Sequence, residues 1–69
     1  MRDILISAGW FKYHGCTCGG ALKEKYKHPD KPGKEVHIRP NRNDWTYLLN
    51  KRVVSRGNGS NLQDLINKI

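Results

Sequence analysis

Ala21-Leu22-Lys23-Glu24-Lys25-Tyr26-Lys27-His28 leads through Pro29-Asp30-Lys31-Pro32-Gly33 to a second alternating run, Glu35-Val36-His37-Ile38-Arg39. Successive side chains on a strand point to opposite sides. Residues 21–28 therefore place Leu22, Glu24, Tyr26 and His28 on one face and Lys23, Lys25 and Lys27 on the other. In residues 35–39, Val36 and Ile38 turn inward while Glu35, His37 and Arg39 turn outward. Pro32 presets φ and Gly33 accepts a positive φ, which is what a type II turn needs. The two runs form a hairpin with one apolar and one basic face.

Working outward, residues 45–49 (Trp-Thr-Tyr-Leu-Leu) and 52–56 (Arg-Val-Val-Ser-Arg) flank Asn50-Lys51 at hairpin spacing. Asn tolerates positive φ there, and Lys51 is a poorer second turn residue than glycine. Residues 10–14, with Trp10, Phe11 and Tyr13, read as a further strand, and the apolar start at 2–8 as one or two helical turns. At the other end, Ser60 and Gln63 have the spacing of a capping box. Leu62, Leu65, Ile66 and Ile69 fall at i, i+3, i+4 and i+7, one apolar helical stripe. A helix over 60–69 is too short to stand alone, so it lies on the sheet. The expected fold is α+β: a single domain over 1–69, an antiparallel β-meander of four or five strands packed against a C-terminal α-helix. Trp10, Trp45 and at least one tyrosine belong in its core, with the lysines and arginines on the far face.

Size sets the energetics. A chain of 69 residues and 8.0 kDa buries about 60% of its unfolded surface. Apolar burial then contributes about 100 kcal/mol at 25 cal/mol per Å², and ordering the chain at about 1.5 kcal/mol per residue costs about the same. So thin a margin makes a metal, a disulfide or a second copy of the chain (a homodimer) a natural source of extra stability. No apolar run approaches the ~18 residues of a membrane span, so no membrane partner is expected. Ile4-Leu5-Ile6 is too short for the core of an export signal, and two cysteines without such a signal point to the cytoplasm and free thiols.

The net charge of +7 is unevenly spread. Residues 1–10 and 57–69 each sum to zero, so the whole excess lies in 11–56. A basic middle between neutral ends favours an anionic partner, with nucleic acid the commonest. Lys23, Lys25 and Lys27 form the stripe; Lys12, Arg39, Arg42, Arg52 and Arg56 extend it if strand order gathers them. Tyr13, Trp45 or Tyr47 would offer a stacking surface for unpaired bases. The expected function is a non-catalytic binding module.

His14-Gly15-Cys16-Thr17-Cys18-Gly19-Gly20 is the one chemically unusual stretch. Cysteines followed by glycines resemble half of a zinc knuckle, although one residue separates them where a knuckle has two, and the second ligand pair is missing. Cys16, Cys18, His14 and His28 make the conceivable zinc set, which defines an alternative: a zinc-stapled structural or interaction domain. The reading preferred over that zinc set is a Gly-flanked bend between the first two strands with two small, partly buried thiols. A nucleophilic cysteine lacks a third group to orient its base.

Ala8-Gly9-Trp10-Phe11, taken with Lys27-His28-Pro29-Asp30-Lys31-Pro32-Gly33-Lys34-Glu35-Val36, resembles the HicA-type toxins, small RNA-cleaving proteins. The resemblance covers about half of the chain and implies a double-stranded-RNA-binding-like sheet with helices. That family carries a Gly-Ser-His-His segment with its catalytic histidine just before the hairpin. Here Ala21 to Glu24 occupy those positions and contain no histidine, and a second hairpin at 45–56 is added. The resemblance thus implies an RNA-related sheet without the residue that cleaves, and it defines a second alternative function, an RNA-cleaving toxin-like protein.

Overall fold

The computed structural model describes residues 1–17 and 20–69; Cys18 and Gly19 lie outside the described residues. The chain runs α1 (Arg2–Ser7), β1 (Phe11–Cys16), β2 (Lys23–Lys27), β3 (Lys34–Arg39), β4 (Asp44–Leu49), β5 (Arg52–Asn58) and α2 (Leu62–Lys68). The five strands form one antiparallel sheet in the order β1-β2-β3-β4-β5, a simple meander. The expected α+β architecture is present, with all five strands in the one sheet.

Both hairpin turns follow from local chemistry. Lys34 N donates to Lys31 O at 3.2 Å, and Gly33 sits at φ +81°, the left-handed position that closes a type II turn. Asn50 and Lys51 both take positive φ (52° and 67°), so the β4–β5 loop is a two-residue I′ turn whose twist matches its strands. Asn50 N also donates to Gly33 O at 2.7 Å, which ties the two turns together at one end of the sheet.

The core lies between one sheet face and the two helices. Tyr26, Val36, Ile38, Trp45 and Tyr47 from the strands meet Leu5 of α1, Trp10, and Leu62 and Leu65 of α2. Ile66 and Ile69 complete the predicted stripe as half-buried neighbours. Glu24 is the one buried charged residue among those described, at 3% exposure. Its carboxylate accepts from Arg2 Nε at 2.8 Å and from the Tyr26 hydroxyl at 3.1 Å, with Lys12 Nζ at 3.8 Å.

Two local expectations need correction. The first strand extends over Phe11–Cys16, so Cys16 ends a strand and does not sit in a bend, while Trp10 lies before it in the core. A bulge between Lys12 and His14 lets β1 present Phe11, Tyr13 and His14 outward and keep Lys12 beside Glu24. At the C-terminal end, Ser60 and Gln63 do not form the cap. Asn58 and Asn61 do: the Asn58 side chain accepts from Ser60 N at 3.0 Å, and Asn61 Oδ1 accepts from Asn58 N at 3.2 Å. Residues Gly59–Asn61 form a 3-10 turn, and α2 starts at Leu62. Gln63 instead donates to Asn67 one turn on, at 3.0 Å. Asn61 prevails because its Oδ1 also receives Trp45 Nε1 at 2.9 Å, joining the cap to the core.

Candidate nucleic-acid interface

Both helices cover the same side of the sheet, so the opposite side is open. Strand alternation puts Lys23, Lys25 and Lys27 of β2 there, with Glu24 and Tyr26 behind them. Register then builds a lateral row. His14 pairs with Lys25, Lys25 with His37, His37 with Thr46, and Thr46 with Arg56. Directly paired residues share a face, so these five side chains, one from each strand, stand side by side across the open surface. Arg39 joins them at the end of β3, in a depression shared with Lys23, His37, Thr46 and Arg56.

The acidic groups on this face are already engaged. Asp44 accepts two hydrogen bonds from Arg39, Nε to Oδ1 at 2.8 Å and Nη2 to Oδ2 at 2.5 Å. Glu35 accepts from the Tyr13 hydroxyl and lies 3.3 Å from His37 Nε2. The Tyr13 hydrogen bond holds the Glu35 carboxyl below its ordinary range, opposed by partial burial and helped by His37. Partial burial, and then Glu35, pushes the Tyr13 phenol up to about 12. Burial also lowers the His37 imidazole, Lys23 and Lys25 lower it further, and only Glu35 pulls the other way. At neutral pH the face therefore carries a neutral His37, a phenol locked as a donor and free lysine charges. Lys27 Nζ stands 4.4 Å above the Tyr13 ring centroid, a cation–π contact.

Five of the eight basic residues singled out from sequence come together here: Lys23, Lys25, Lys27, Arg39 and Arg56. Lys12 pairs with Tyr26 and stands beside Glu24 instead. Arg42 lies in the 3-10 turn Pro40–Arg42, off the strands. Arg52 pairs with Leu49, on the side of the sheet that carries Tyr47. The cause is a register shift between Tyr47 and Leu48, which inserts an extra residue between Arg52 and Arg56 and parts their directions. Of the aromatic candidates, Trp45 and Tyr47 are core residues, and Tyr13 is exposed at 40% with Phe11 beside it at 48%. Sequence reading missed Lys31, Lys34 and Lys51, which with Lys27 surround a cleft of about 510 Å³ where the two hairpin turns meet. Lys31 and Lys34 donate from Nζ to Ile69 O at 2.8 and 3.1 Å. The signal was in the turns themselves, since two adjacent hairpins bring their loops to the same end.

The proposed zinc set is not assembled among the described residues. His28 Nδ1 accepts from Asp30 N at 3.1 Å, which puts the proton on Nε2, and Nε2 then donates to Ala8 O at 3.0 Å. Both nitrogens are thus occupied, and the ring packs edge-on against Trp10 at 5.4 Å between centroids. Cys16 is disulfide-bonded, against the expectation of free thiols, and a disulfide sulfur is not a thiolate ligand. Cys18 lies outside the described residues, and among those described no group of three or more His, Cys, Asp or Glu is placed to hold a metal ion. No described helix is long and apolar enough to cross a membrane. No protein-family model matches this chain, and neither a curated protein nor a solved structure matches it.

Proposed function

We propose that the open sheet face binds nucleic acid, chiefly through its phosphates, as a non-catalytic module. The observation that carries this reading is the division of labour between the two sheet faces. One buries the apolar strand residues under both helices, while the other gathers Lys23, Lys25, Lys27, Arg39 and Arg56 with exposed Tyr13 and Phe11. Its two carboxylates are held by Arg39, Tyr13 and His37, so they do little to repel an anion. Unpaired cations beside exposed aromatic rings suit phosphates and base faces together.

The test is fluorescence anisotropy with labelled 12-nucleotide RNA and DNA over a salt series. Of the five gathered cations Arg39 is paired with Asp44, which leaves Lys23, Lys25, Lys27 and Arg56 to meet phosphates. Four such contacts give a log–log slope of about −2.8 on a single strand, or a roughly 50-fold loss of affinity between 50 and 200 mM salt. The triple variant Lys23→Ala, Lys25→Ala, Lys27→Ala should flatten that slope to about −0.7. A salt-independent affinity, or a triple variant that binds like the parent, removes the reading. Gel analysis of the same RNA after incubation addresses the HicA-type resemblance: full-length RNA leaves a binding module, and shortened products replace it with a nuclease.

A further inference from the structure

We infer that the ligand of this face is a single strand rather than a duplex, lying across the five strands along the row His14–Lys25–His37–Thr46–Arg56. This rests on the nucleic-acid reading above and specifies the substrate class.

Three observations lead there. First, the row is built by pairing register, one side chain from each strand. The depression around Lys23, Arg39 and Arg56 shares His37 with the central one around Tyr13, Lys25 and Leu48. A connected track therefore follows the row from Arg56 on β5 to Lys25 on β2, and a branch through Lys27, Glu35 and Lys51 leads on to the cleft at the hairpin turns. Second, its dimensions suit one chain. Five strands at about 4.8 Å spacing make a row about 19 Å long, room for a few nucleotides of one extended strand. Third, the track offers ring surface as well as charge. Phe11 and Tyr13 are exposed at its β1 margin, and Leu48 lines its middle. Ring faces are of use only to unstacked bases, and a duplex keeps its base faces covered. Both helices pack on the far side, so neither stands on this face to enter a groove. A duplex would meet lysines alone, whereas a single strand meets lysines and rings together.

The row also sets an orientation. Lys23 and Lys27 stand about 6.8 Å on either side of Lys25 along β2, two strand rises each way. They bracket the strand's backbone where it passes Lys25. Bases that turn toward β1 fall on Phe11 and Tyr13, and the Tyr13 ring is held in place by the Glu35 hydrogen bond and by Lys27.

The experiment compares an eight-nucleotide single strand, as RNA and as DNA, with blunt duplexes of the same sequence at 50 mM salt. Binding of the single strand at least tenfold tighter than the duplex is the expected result. Tyr13→Ala should cost the single strand about tenfold, with Phe11→Ala adding a similar factor, and should leave duplex binding unchanged. Tyr13→Phe, which keeps the ring but loses the hydroxyl that anchors it to Glu35, should retain most of the single-strand affinity that Tyr13→Ala loses. Both aromatic side chains are exposed, so these variants keep the core, and circular dichroism verifies it. Equal affinity for single strand and duplex, or an unaffected Tyr13→Ala, overturns the inference and leaves phosphate binding standing. Loss of affinity for every probe overturns the nucleic-acid reading beneath it.

Discussion

Gly57 has no side chain because two neighbours already fill the space. A Cβ there would lie 2.6 Å from Asn61 Oδ1 and 2.8 Å from Trp45 Cε2. Trp45 cannot yield freely, since its Nε1 is fixed by Asn58 O at 2.7 Å and by Asn61 Oδ1. Gly57→Ala should therefore destabilise by about 1–3 kcal/mol, the range for overpacking a well-filled site. Thermal unfolding reads this directly, and an unchanged midpoint would contradict it. Glu24 makes a second prediction. Its carboxyl is held below the ordinary range by Arg2 first, with burial opposing and Tyr26 assisting. Glu35 and Asp44 are lowered as well, by Tyr13 and by Arg39. A depressed folded-state value means that the stability contribution is present above the unfolded value of about 4.3. It is lost as pH falls through the folded one. Acid unfolding should thus set in below about pH 4.3, and Glu24→Ala should cost about 1–3 kcal/mol at neutral pH by stranding the Tyr26 hydroxyl. Urea melts at pH 7 and pH 3 separate the two effects. The Glu24 site was half legible in sequence. Alternation placed it on the inner face with Tyr26, but nothing local announces that Arg2, 22 residues away, arrives there.

At the scale of elements, the β4–β5 turn is the clearest target. Lys51 takes φ 67°, a conformation costly for a residue with a Cβ. Lys51→Gly should stabilise by about 0.5 kcal/mol after its own entropy cost, raising the melting midpoint by about 2–4 °C. A lowered midpoint would mean that the Lys51 side chain contributes more through packing than its backbone loses. The hairpins were readable because each turn names itself, Pro32-Gly33 by fixed and positive φ and Asn50-Lys51 by spacing. The Lys23 stripe was readable for the same reason that any strand is, its period of two. Bulges break that period, which is why Arg52 and Arg56 look equivalent in sequence and part company in the fold. The capping box was misplaced because Ser60 and Gln63 satisfy the local pattern, whereas Asn58 and Asn61 satisfy it on the 3-10 turn that leads into α2 and reach Trp45 too.

For the molecule as a whole, the open sheet has two edges, β1 and β5. The β5 edge shows Val53 at 51% and Val54 at 56% exposure, between Arg52 and Arg56. Like charges flanking an apolar edge discourage edge-to-edge pairing of copies. Arg52→Ser with Arg56→Ser should accelerate aggregation at high concentration while changing the unfolding midpoint little. Light scattering over time checks this, and equal rates for variant and parent would assign the arginines no protective part. The folded surface of 4471 Å² equals about what area scaling gives for 8.0 kDa, so leaving one sheet face open costs the chain no compactness.

Because strand order in space repeats strand order along the chain, every sheet contact is with the strand made just before or just after. No strand waits for a distant partner, so little loop-closure entropy stands in the way and the chain should collapse within milliseconds. The exception is the lid of the core. Leu62 and Leu65 leave the ribosome after every strand, and until they emerge Leu5, Trp10 and Trp45 share an unsealed wall. During synthesis the meander can take shape early, and its apolar side stays open to chaperones until the last helix closes it.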